Sequence, residues 1–304
     1  MKVIVAVSGG VDSVVLLDLL AKKKLEKFLN YRLPATNYQL VVAHFNHHIH
    51  HEADAQQKFV EQLAAKYRLP FFTKTSSRKI KSEAEARAAR YEFLEKLLQK
   101  EKADIIALAH HADDQVETIF LNLIRGSGLA GAIGMTEFAG KKWRPFLEIP
   151  KAQIETYAKK AKLKFVTDPT NSDPNFSRNY LRAEILPKMR QLNPRLDEGI
   201  LRFAKIAREN LELTNLLAAE FLRRTENSQT IPLLEFGVLP PAVAKAVVRE
   251  IYFQTVGNLQ KIEERHIAEV LALARNSAGG KQKKFGELTF RTAKLAGQRV
   301  LSWK

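Results

Sequence analysis

Six residues near the N-terminus have the types and the order that a phosphate-binding turn requires. They are Ser8, Gly9, Gly10, Val11, Asp12 and Ser13. The two glycines let the backbone approach an anion closely, and a helix that begins after them would point free N–H groups at it. The serine hydroxyls add donors, and Asp12 can hold a magnesium ion that bridges phosphates. The segment is not a Walker A loop, because the GxxxxGK[ST] spacing and its lysine are absent.

A second polar cluster combines imidazoles with carboxylates. It reads AHHADDQVET and contains His110, Asp114 and Glu117 as candidate functional residues. On a helix, Asp114 and Glu117 are three residues apart and share a face. A structural alternative is that Asp113 and Asp114 only stabilise the positive end of the helix dipole.

Histidines are concentrated in the first part of the chain. Seven of the eight lie between His44 and His111, five of them in the run HFNHHIHH. Imidazoles are zinc ligands, but no paired carboxylate accompanies this run at metal-ligand spacing. We therefore expect loop histidines here, with zinc as the alternative.

Four residues later in the chain are candidates for contacts with phosphate or nucleic acid: Arg125, Arg178, Asn179 and Arg182. On a helix Arg178 and Arg182 are four residues apart and could contact adjacent phosphates. The alternative for each is a solvated or ion-paired surface residue. Arg87 and Arg90 are weaker candidates for facing a nucleotide.

Both polar clusters follow segments that we predict to be strands. Apolar runs indicate strands at residues 2–7, 40–45, 70–75 and 104–109, and helical spacing indicates helices at 52–67, 82–100 and 113–124. Another helix is expected after the first strand, capped by Asp12 or Ser13. This alternation predicts a doubly wound parallel sheet, an α/β fold. Ligands bind beyond the carboxyl ends of such strands, so residues 8–13, 44–51 and 110–114 should converge on one cleft.

The pattern changes after residue 141. Helices are predicted at residues 151–162 and 179–192, separated by a polar stretch, and the chain is then mostly helical to about residue 278. Residues 285–303 predict a hairpin that turns near 294–298. We therefore expect two domains, a catalytic domain of residues 1–190 and a smaller, mostly α-helical domain of residues 191–304.

Composition limits the classes of function. The 304 residues include 49 Lys and Arg against 33 Asp and Glu, a net charge of +16 that favours a polyanionic partner. The absence of cysteine excludes disulfides, thiolate zinc sites and sulfur transfer through a persulfide. Every apolar run is too short for a signal peptide or a membrane span, so we expect a cytoplasmic protein without a membrane partner.

Five motifs, in order, carry a resemblance to a known family: SGGVDS, AHHADDQVET, RGSGLAG, WRPF and DPTNSDPNFSRNYLR. The first resembles the pyrophosphatase-loop (PP-loop) signature of N-type ATP pyrophosphatases. Their order is typical of tRNA(Ile)-lysidine synthetases. The match runs through roughly residues 1–190. A weaker match covers LPPAVAKAVVREI, which is similar to the family's substrate-binding domain, so the resemblance implies that residues 191–304 bind tRNA or substrate. The chain then ends, so it resembles the compact members that lack a further C-terminal domain.

The resemblance implies a ligase that joins free L-lysine to C2 of the wobble cytidine in a CAU-anticodon tRNA(Ile). ATP would adenylylate the base and release pyrophosphate, and the lysine ε-amine would then displace AMP. Residues 8–13 would bind ATP, with Asp12 as magnesium partner and Asp12 and His110 as catalytic residues. Asp114 and Glu117 would bind the lysine.

One position departs from the family pattern, and two other functions stay open. His50 stands where the family's HxNHxxR motif has arginine, so no phosphate contact is assigned to it. A 2-thiolation enzyme is disfavoured by the lack of cysteine. A non-catalytic nucleotide- or RNA-binding protein would have no need of Asp114 and Glu117. The sequence carries no signal for or against a homo-oligomer.

Overall fold

A computed structural model describes residues 1–30, 37–47, 53–76, 82–166, 177–225, 229–259, 262–275 and 280–304. Within these ranges the chain forms two compact units, Met1–Lys205 and Ile206–Lys304. The division falls inside the long helix Leu196–Arg224, later than the predicted boundary at residue 190. The assignment of a catalytic role to the first segment and a tRNA-binding role to the second stays a prediction.

The first unit is built on a six-stranded sheet. Its strands are β1 (Lys2–Ala6), β2 (Gln39–Asn46), β3 (Phe71–Thr75), β4 (Ile105–Ala107), β5 (Phe138–Ala139) and β6 (Lys142–Trp143). They lie in the order β3-β2-β1-β4-β6-β5, and all neighbours are parallel except β5 and β6. The order reverses between β1 and β4, as in doubly wound sheets. The predicted α/β fold class is confirmed.

Ten helices of the described residues accompany this sheet, and the last of them continues into the second unit. They are α1 (Val11–Ala21), α2 (Leu25–Leu29), α3 (Ala53–Lys66), α4 (Glu83–Lys100), α5 (Ala112–Ile124), α6 (Leu129–Ala132), α7 (Lys151–Lys160), α8 (Ser177–Tyr180), α9 (Leu186–Leu192) and α10 (Leu196–Arg224). The predicted side-chain cap of α1 is wrong. Gly10 is its N-cap, and Asp12 and Ser13 lie inside the first turn.

The alternation of side chains along β1 separates two hydrophobic cores. Val3 and Val5 pack with the apolar faces of α1, α3 and α7 on one side of the sheet. Ile4 packs with Phe93 and Leu94 of α4 on the other side. Because successive strand residues point to opposite faces, a strand covered on both sides must be apolar throughout. The continuous apolar sequence of β1 follows from this burial.

A helical segment at residues 177–201 packs against α5. Leu181 and Leu186 contact Val116 and Leu121 in a small core of their own. Residues 181–185 form a π-helical turn in which the Leu186 N–H donates to the Leu181 carbonyl. Pro187 follows, and since it has no N–H to continue the α-helical pattern, a local change of register is expected there. This packing explains why the first unit extends beyond residue 190.

The second unit combines helices with an antiparallel sheet. Its further helices are α11 (Leu233–Gly237), α12 (Pro241–Val256) and α13 (Glu264–Arg275), and its strands are β7 (Thr230–Pro232), β8 (Gln282–Phe285), β9 (Leu288–Leu295) and β10 (Gln298–Trp303). The strand order is β7-β10-β9-β8. The β9–β10 hairpin turns at Ala296 and Gly297, both with positive φ. Across the described ranges, the helices are all too short or too polar to cross a membrane.

Candidate active site

The turn after β1 is shaped by its glycines. Gly9 has φ +96°, a left-handed conformation that favours glycine, and a Cβ there would lie 3.2 Å from Gln56 Cγ. Gly10 is the N-cap of α1, and its carbonyl accepts the first helical hydrogen bond, from Val14 N–H at 3.0 Å. The N–H groups of Val11, Asp12 and Ser13 therefore have no partner within the helix and lie at its positive end. This arrangement suits a phosphate.

The two serines hold the turn closed. Ser13 Oγ donates to the Gly10 carbonyl at 3.0 Å and accepts from the Ser8 N–H at 3.2 Å. The two hydroxyl oxygens are 3.2 Å apart. The six residues predicted to form the nucleotide turn thus lie together, with their geometry fixed by local hydrogen bonds.

Asp12 is placed as a cation ligand would be. Its Oδ1 is buried and has no hydrogen-bond partner among the described residues. Burial raises the pKa of Asp12, although the nearby charges of His111 and Lys151 act in the opposite direction. A divalent cation would supply the missing partner, and carboxylate oxygen is the ligand type that Mg²⁺ prefers. The residue fits the predicted magnesium role.

The two adjacent histidines after β4, His110 and His111, lie in different electrostatic environments. His111 is buried, and its Nε2 lies 3.8 Å from Asp12 Oδ2 and 3.4 Å from Asp114 Oδ2. Burial lowers the pKa of His111, but the carboxylates of Asp113, Asp114 and Asp12 outweigh burial and raise it above its ordinary value. His111 is therefore the link between the nucleotide turn and α5.

His110 has the opposite electrostatic setting. Burial lowers its pKa far below the ordinary value, and the charges of Arg90, Arg87 and Arg144 act in the same direction against that of Asp114. The imidazole is neutral at pH 7. Of these two histidines, only His110 is predicted as a functional residue from the sequence. Neighbouring side chains of an extended segment point to opposite sides. This alternation is the one feature of the sequence that indicates different environments for His110 and His111.

The predicted lysine-binding carboxylates lie at the start of α5. Asp114 Oδ2 accepts a hydrogen bond from the His111 N–H at 3.1 Å, so the residue caps its own helix as the structural alternative required. Glu117 lies one turn further, and its side chain is 2% exposed. The two carboxylates share the helix face that the spacing predicted.

The predicted phosphate-binding arginines contact these carboxylates. Arg182 donates from Nε to Glu117 Oε1 at 2.6 Å and from Nη2 to Oε2 at 2.9 Å. Arg178 donates to Thr118 Oγ1 at 3.2 Å, and its Nε lies 3.8 Å from Glu117 Oε2. Asn179, between them in sequence, is half-buried. This geometry joins the predicted lysine and phosphate residues into one charged network.

Arg125 lies apart from this network. It is exposed and forms the C-cap of α5, about 16 Å along the helix axis from Asp114 at 1.5 Å per residue. The structure does not bring it to the other candidates. Arg190, which is not predicted from the sequence, lies next to the start of α5: its Nη2 is 3.9 Å from Asp113 Oδ1.

The histidines of the second strand fall into two groups. His44 is buried, its Nδ1 lies 2.8 Å from the Val7 carbonyl oxygen, and burial lowers its pKa. His48, His50 and His51 lie outside the described residues. Within the described ranges there is no group of three or more His, Asp or Glu side chains that could hold a metal ion.

Comparison with known proteins identifies relatives over most of the chain. Residues 1–189 match a family described as the PP-loop domain. The tRNA(Ile)-lysidine synthase of Geobacter sulfurreducens is 34% identical over 295 residues, which cover 91% of this chain and 60% of the relative. That of Francisella tularensis is 30% identical over 287 residues, 92% of this chain and 68% of the relative.

Other matches extend this comparison. A bifunctional TilS/HprT protein of Listeria monocytogenes is 36% identical over 236 residues, 73% of this chain but 35% of the relative. The chain thus spans less than two thirds of the length of several curated relatives. The U34-tRNA thiolase NcsA of Methanococcus maripaludis has a similar fold, with a TM-score of 0.54, 20% identity, and coverage of 68% of this chain and 72% of that one. From the PP-loop match and the identity to these synthases, the chain belongs to the PP-loop ATP-binding proteins and, among them, to the tRNA(Ile)-lysidine synthase family.

Proposed function

We propose that the protein joins L-lysine to C2 of the wobble cytidine in a CAU-anticodon tRNA(Ile), using ATP through an adenylylated base. One observation carries the proposal. The phosphate-binding turn with Asp12 and the carboxylate pair Asp114 and Glu117 lie at the carboxyl ends of β1 and β4, which are adjacent parallel strands. His111 bridges them, within 4 Å of both Asp12 and Asp114.

The nucleotide occupies the turn in this proposal. Residues 8–13 bind the phosphates of ATP, and their N–H groups and hydroxyls stabilise the pyrophosphate as it leaves. Asp12 holds Mg²⁺, which supplies positive charge to the phosphates when it is bound. Three carboxylates raise the pKa of His111, so its protonated form would add positive charge next to the turn. The neutral His110 serves as a hydrogen-bonding group near the reacting base.

The carboxylates of α5 take the lysine. Its ε-amine has an ordinary pKa of about 10.4, so the neutral nucleophile costs about 4–5 kcal/mol at pH 7. Asp114 and Glu117 hold the cationic substrate, and a desolvated site favours loss of its proton. Because Arg182 already engages both Glu117 oxygens, an ammonium must join or replace it there.

The tRNA is the polyanion that the charge surplus favours. Arg178, Asn179 and Arg182 lie next to the carboxylates proposed to bind lysine. We propose that they contact the phosphates of the anticodon. The exposed Arg125 would contact a more distant part of the tRNA. We propose a cytoplasmic location, which a tRNA-modifying role favours.

The test is pyrophosphate release from ATP and Mg²⁺ with an unmodified CAU-anticodon tRNA(Ile), with and without lysine. We expect release that depends on the tRNA, AMP formation that depends on lysine, and a loss of at least about 100-fold in Asp12→Ala. Lys96→Ala, an exposed change on α4, is the matched control.

Two outcomes would favour other functions. If pyrophosphate and AMP formed but no lysine entered the tRNA, the base would still be adenylylated, and a compound other than lysine would be the nucleophile. No AMP with any tRNA would leave a nucleotide- or RNA-binding protein. A 2-thiolation activity is not favoured, because the chain has no cysteine.

A further inference from the structure

The phosphate-binding turn supplies no cation of its own. Residues 8–13 offer backbone N–H groups, two hydroxyls and the Asp12 carboxylate. A Walker A loop carries a lysine that reaches the β- and γ-phosphates, and this turn contains no lysine or arginine. Negative charge develops on pyrophosphate as it leaves ATP, and a fixed cation beside it stabilises the transition state. A side-chain cation for this purpose has to come from another segment of the chain.

The start of α7 is connected to this turn by a chain of close contacts. The backbone N–H of Lys151, the first residue of α7, donates to Asp113 Oδ2 at 2.9 Å. The same carboxylate oxygen lies 3.6 Å from His111 Nδ1. On the other side of the imidazole ring, His111 Nε2 lies 3.8 Å from Asp12 Oδ2. The first residue of α7 is therefore separated from the turn by one carboxylate and one imidazole.

A second contact sets the register between α7 and α1. The Tyr157 hydroxyl donates to Asp18 Oδ2 at 2.7 Å, and apolar residues of both helices pack in one core. Tyr157 is six residues after Lys151, just as Asp18 is six residues after Asp12. Because an α-helix rises 1.5 Å per residue, each interval measures about 9 Å. The two helices thus run in the same direction, with Lys151 beside Asp12 at their first turns.

The Lys151 ammonium is available for a ligand. The residue is half-buried, and among the described residues its side chain has no hydrogen-bond or ion-pair partner. Burial raises the pKa of Asp12, and the positive charges of His111 and Lys151 oppose this rise, so the ammonium is close enough to act on the turn. The bond that fixes Lys151 to Asp113 uses only the backbone N–H. The side chain is therefore positioned without being engaged.

We propose that the Lys151 ammonium binds the β- and γ-phosphates of ATP and remains bound to pyrophosphate as it leaves. This inference rests on the nucleotide-binding part of the proposed function and not on the identity of the amine. When the base oxygen attacks the α-phosphorus, the bond from that phosphorus to the bridging oxygen breaks, and its electron pair stays on pyrophosphate. Lys151 stabilises the charge that this oxygen gains. It supplies from α7 the cation that a Walker A loop carries internally.

The first test compares nucleotides that contain and lack the leaving phosphates. Isothermal titration calorimetry with Mg²⁺ and without tRNA gives the Kd for ATP and for AMP. In Lys151→Ala we expect the Kd for ATP to rise about 10- to 100-fold, the range for a lost hydrogen bond from a charged group, and that for AMP to change less than about threefold. Lys151→Arg should recover part of the affinity for ATP. Lys159→Ala, an exposed change in the last turn of the same helix, is the matched control and should leave both values unaltered.

The second test concerns the breaking of the bond to pyrophosphate. Single-turnover rates with CAU-anticodon tRNA(Ile) are measured for β,γ-methylene and β,γ-difluoromethylene ATP, of which the fluorinated compound has the less basic leaving group. The rate ratio between the two analogues should be larger in Lys151→Ala than in the unaltered protein, because the leaving group then bears its charge without the ammonium. A purely structural defect would lower both rates equally. An unchanged ratio would therefore overturn the role of Lys151 in this step.

Other outcomes separate this inference from its alternatives. Equal losses of affinity for ATP and AMP in Lys151→Ala, or no loss for either, would overturn the contact with pyrophosphate. Weaker tRNA binding with unchanged ATP binding would assign Lys151 to a phosphate of the tRNA, and the inference would again be wrong. If ATP binding required Lys151 but no tRNA elicited pyrophosphate release, the proposed function would fail and the phosphate contact would stand. Thermal unfolding checks each variant, and Lys151→Gln gives the same comparison should Lys151→Ala not fold.

Discussion

The Arg182 guanidinium forms a two-pronged pair with the buried Glu117 carboxylate, through contacts of 2.6 Å and 2.9 Å between groups 65 residues apart in sequence. The pair joins the π-helical turn after α8 to the helix that follows β4. Fork-to-fork geometry of this kind gives direction as well as strength. It fixes the carboxylate proposed to bind lysine before any substrate arrives.

Removal of Arg182 should destabilise the first unit. Arg182→Ala leaves Glu117 buried without its main partner, although Arg178 remains 3.8 Å away. Since the arginine is partly exposed, we expect a loss of about 2–3 kcal/mol in the free energy of unfolding, below the full value for a buried pair. Urea denaturation measures it. Arg195→Ala, which breaks the exposed pair with Glu198, should cost less than about 1 kcal/mol; similar losses in both variants would contradict the assignment.

Asp12→Asn should keep the thermal stability of the protein but remove its stabilisation by Mg²⁺ with ATP. The Asp12 carboxylate is buried with an unpaired oxygen, so its neutral isostere should unfold at a temperature no lower than that of the unaltered protein without metal. Added Mg²⁺ with ATP should raise the unfolding temperature of the unaltered protein but not that of Asp12→Asn. Thermal unfolding with and without these ligands measures both effects. Equal stabilisation of the two proteins by Mg²⁺ with ATP would mean that Asp12 is not a metal ligand.

Gly9 and Gly10 should respond differently to alanine. Gly9 has φ +96°, and an added Cβ would crowd Gln56, whereas Gly10 has φ −72° and its nearest contact would be Ser8 Oγ at 3.6 Å. Gly9→Ala should therefore cost about 1–2 kcal/mol of stability and Gly10→Ala much less. Denaturation curves of the two variants make the comparison. Equal costs would mean that the backbone conformation of Gly9 is not what requires glycine.

Asp18 should make stability depend on pH in acid. Burial raises its pKa, but bonds from Lys22, Tyr67 and Tyr157 outweigh burial and lower it below the ordinary value. A carboxyl group with a lowered folded pKa stabilises the fold above its unfolded pKa, about 3.9, and this stabilisation is lost as pH falls through the folded value.

Asp18→Asn tests this dependence. At pH 7 the variant should lose about 1–3 kcal/mol, the range for bonds to a charged group. The difference from the unaltered protein should shrink as pH falls below about 3.9. Unfolding free energies measured from pH 7 to pH 3 give the comparison. A difference that stayed constant over this range would contradict a lowered pKa for Asp18.

The parts of the fold that sequence predicted are those with local causes. The glycines, the serines and Asp12 of the phosphate-binding turn lie within six consecutive residues and interact locally. The apolar run of β1 directly indicates a strand that is buried on both faces. Helical spacing likewise placed Asp114 and Glu117 on one face. Such features need no knowledge of distant segments.

The parts that sequence did not predict depend on distant partners. No spacing rule connects Glu117 with Arg182. The adjacent pair His110 and His111 likewise does not indicate which of the two imidazoles lies near Asp12. Gln115 is a further case. Its buried amide bonds the backbone of Ile133 and Met135 and so holds the loop after α6, a structural role hidden inside a motif that reads as catalytic.

The most direct test of the proposed function is transfer of labelled lysine to tRNA. The protein is incubated with ATP, Mg²⁺, ¹⁴C-lysine and unmodified CAU-anticodon tRNA(Ile), and the tRNA is digested to nucleosides. The label should co-elute with a modified cytidine from the wobble position, with one AMP formed per lysine, and a methionine tRNA with the same anticodon should remain unlabelled. AMP formation without label in the tRNA, or label at another position, would contradict lysidine synthesis by this protein.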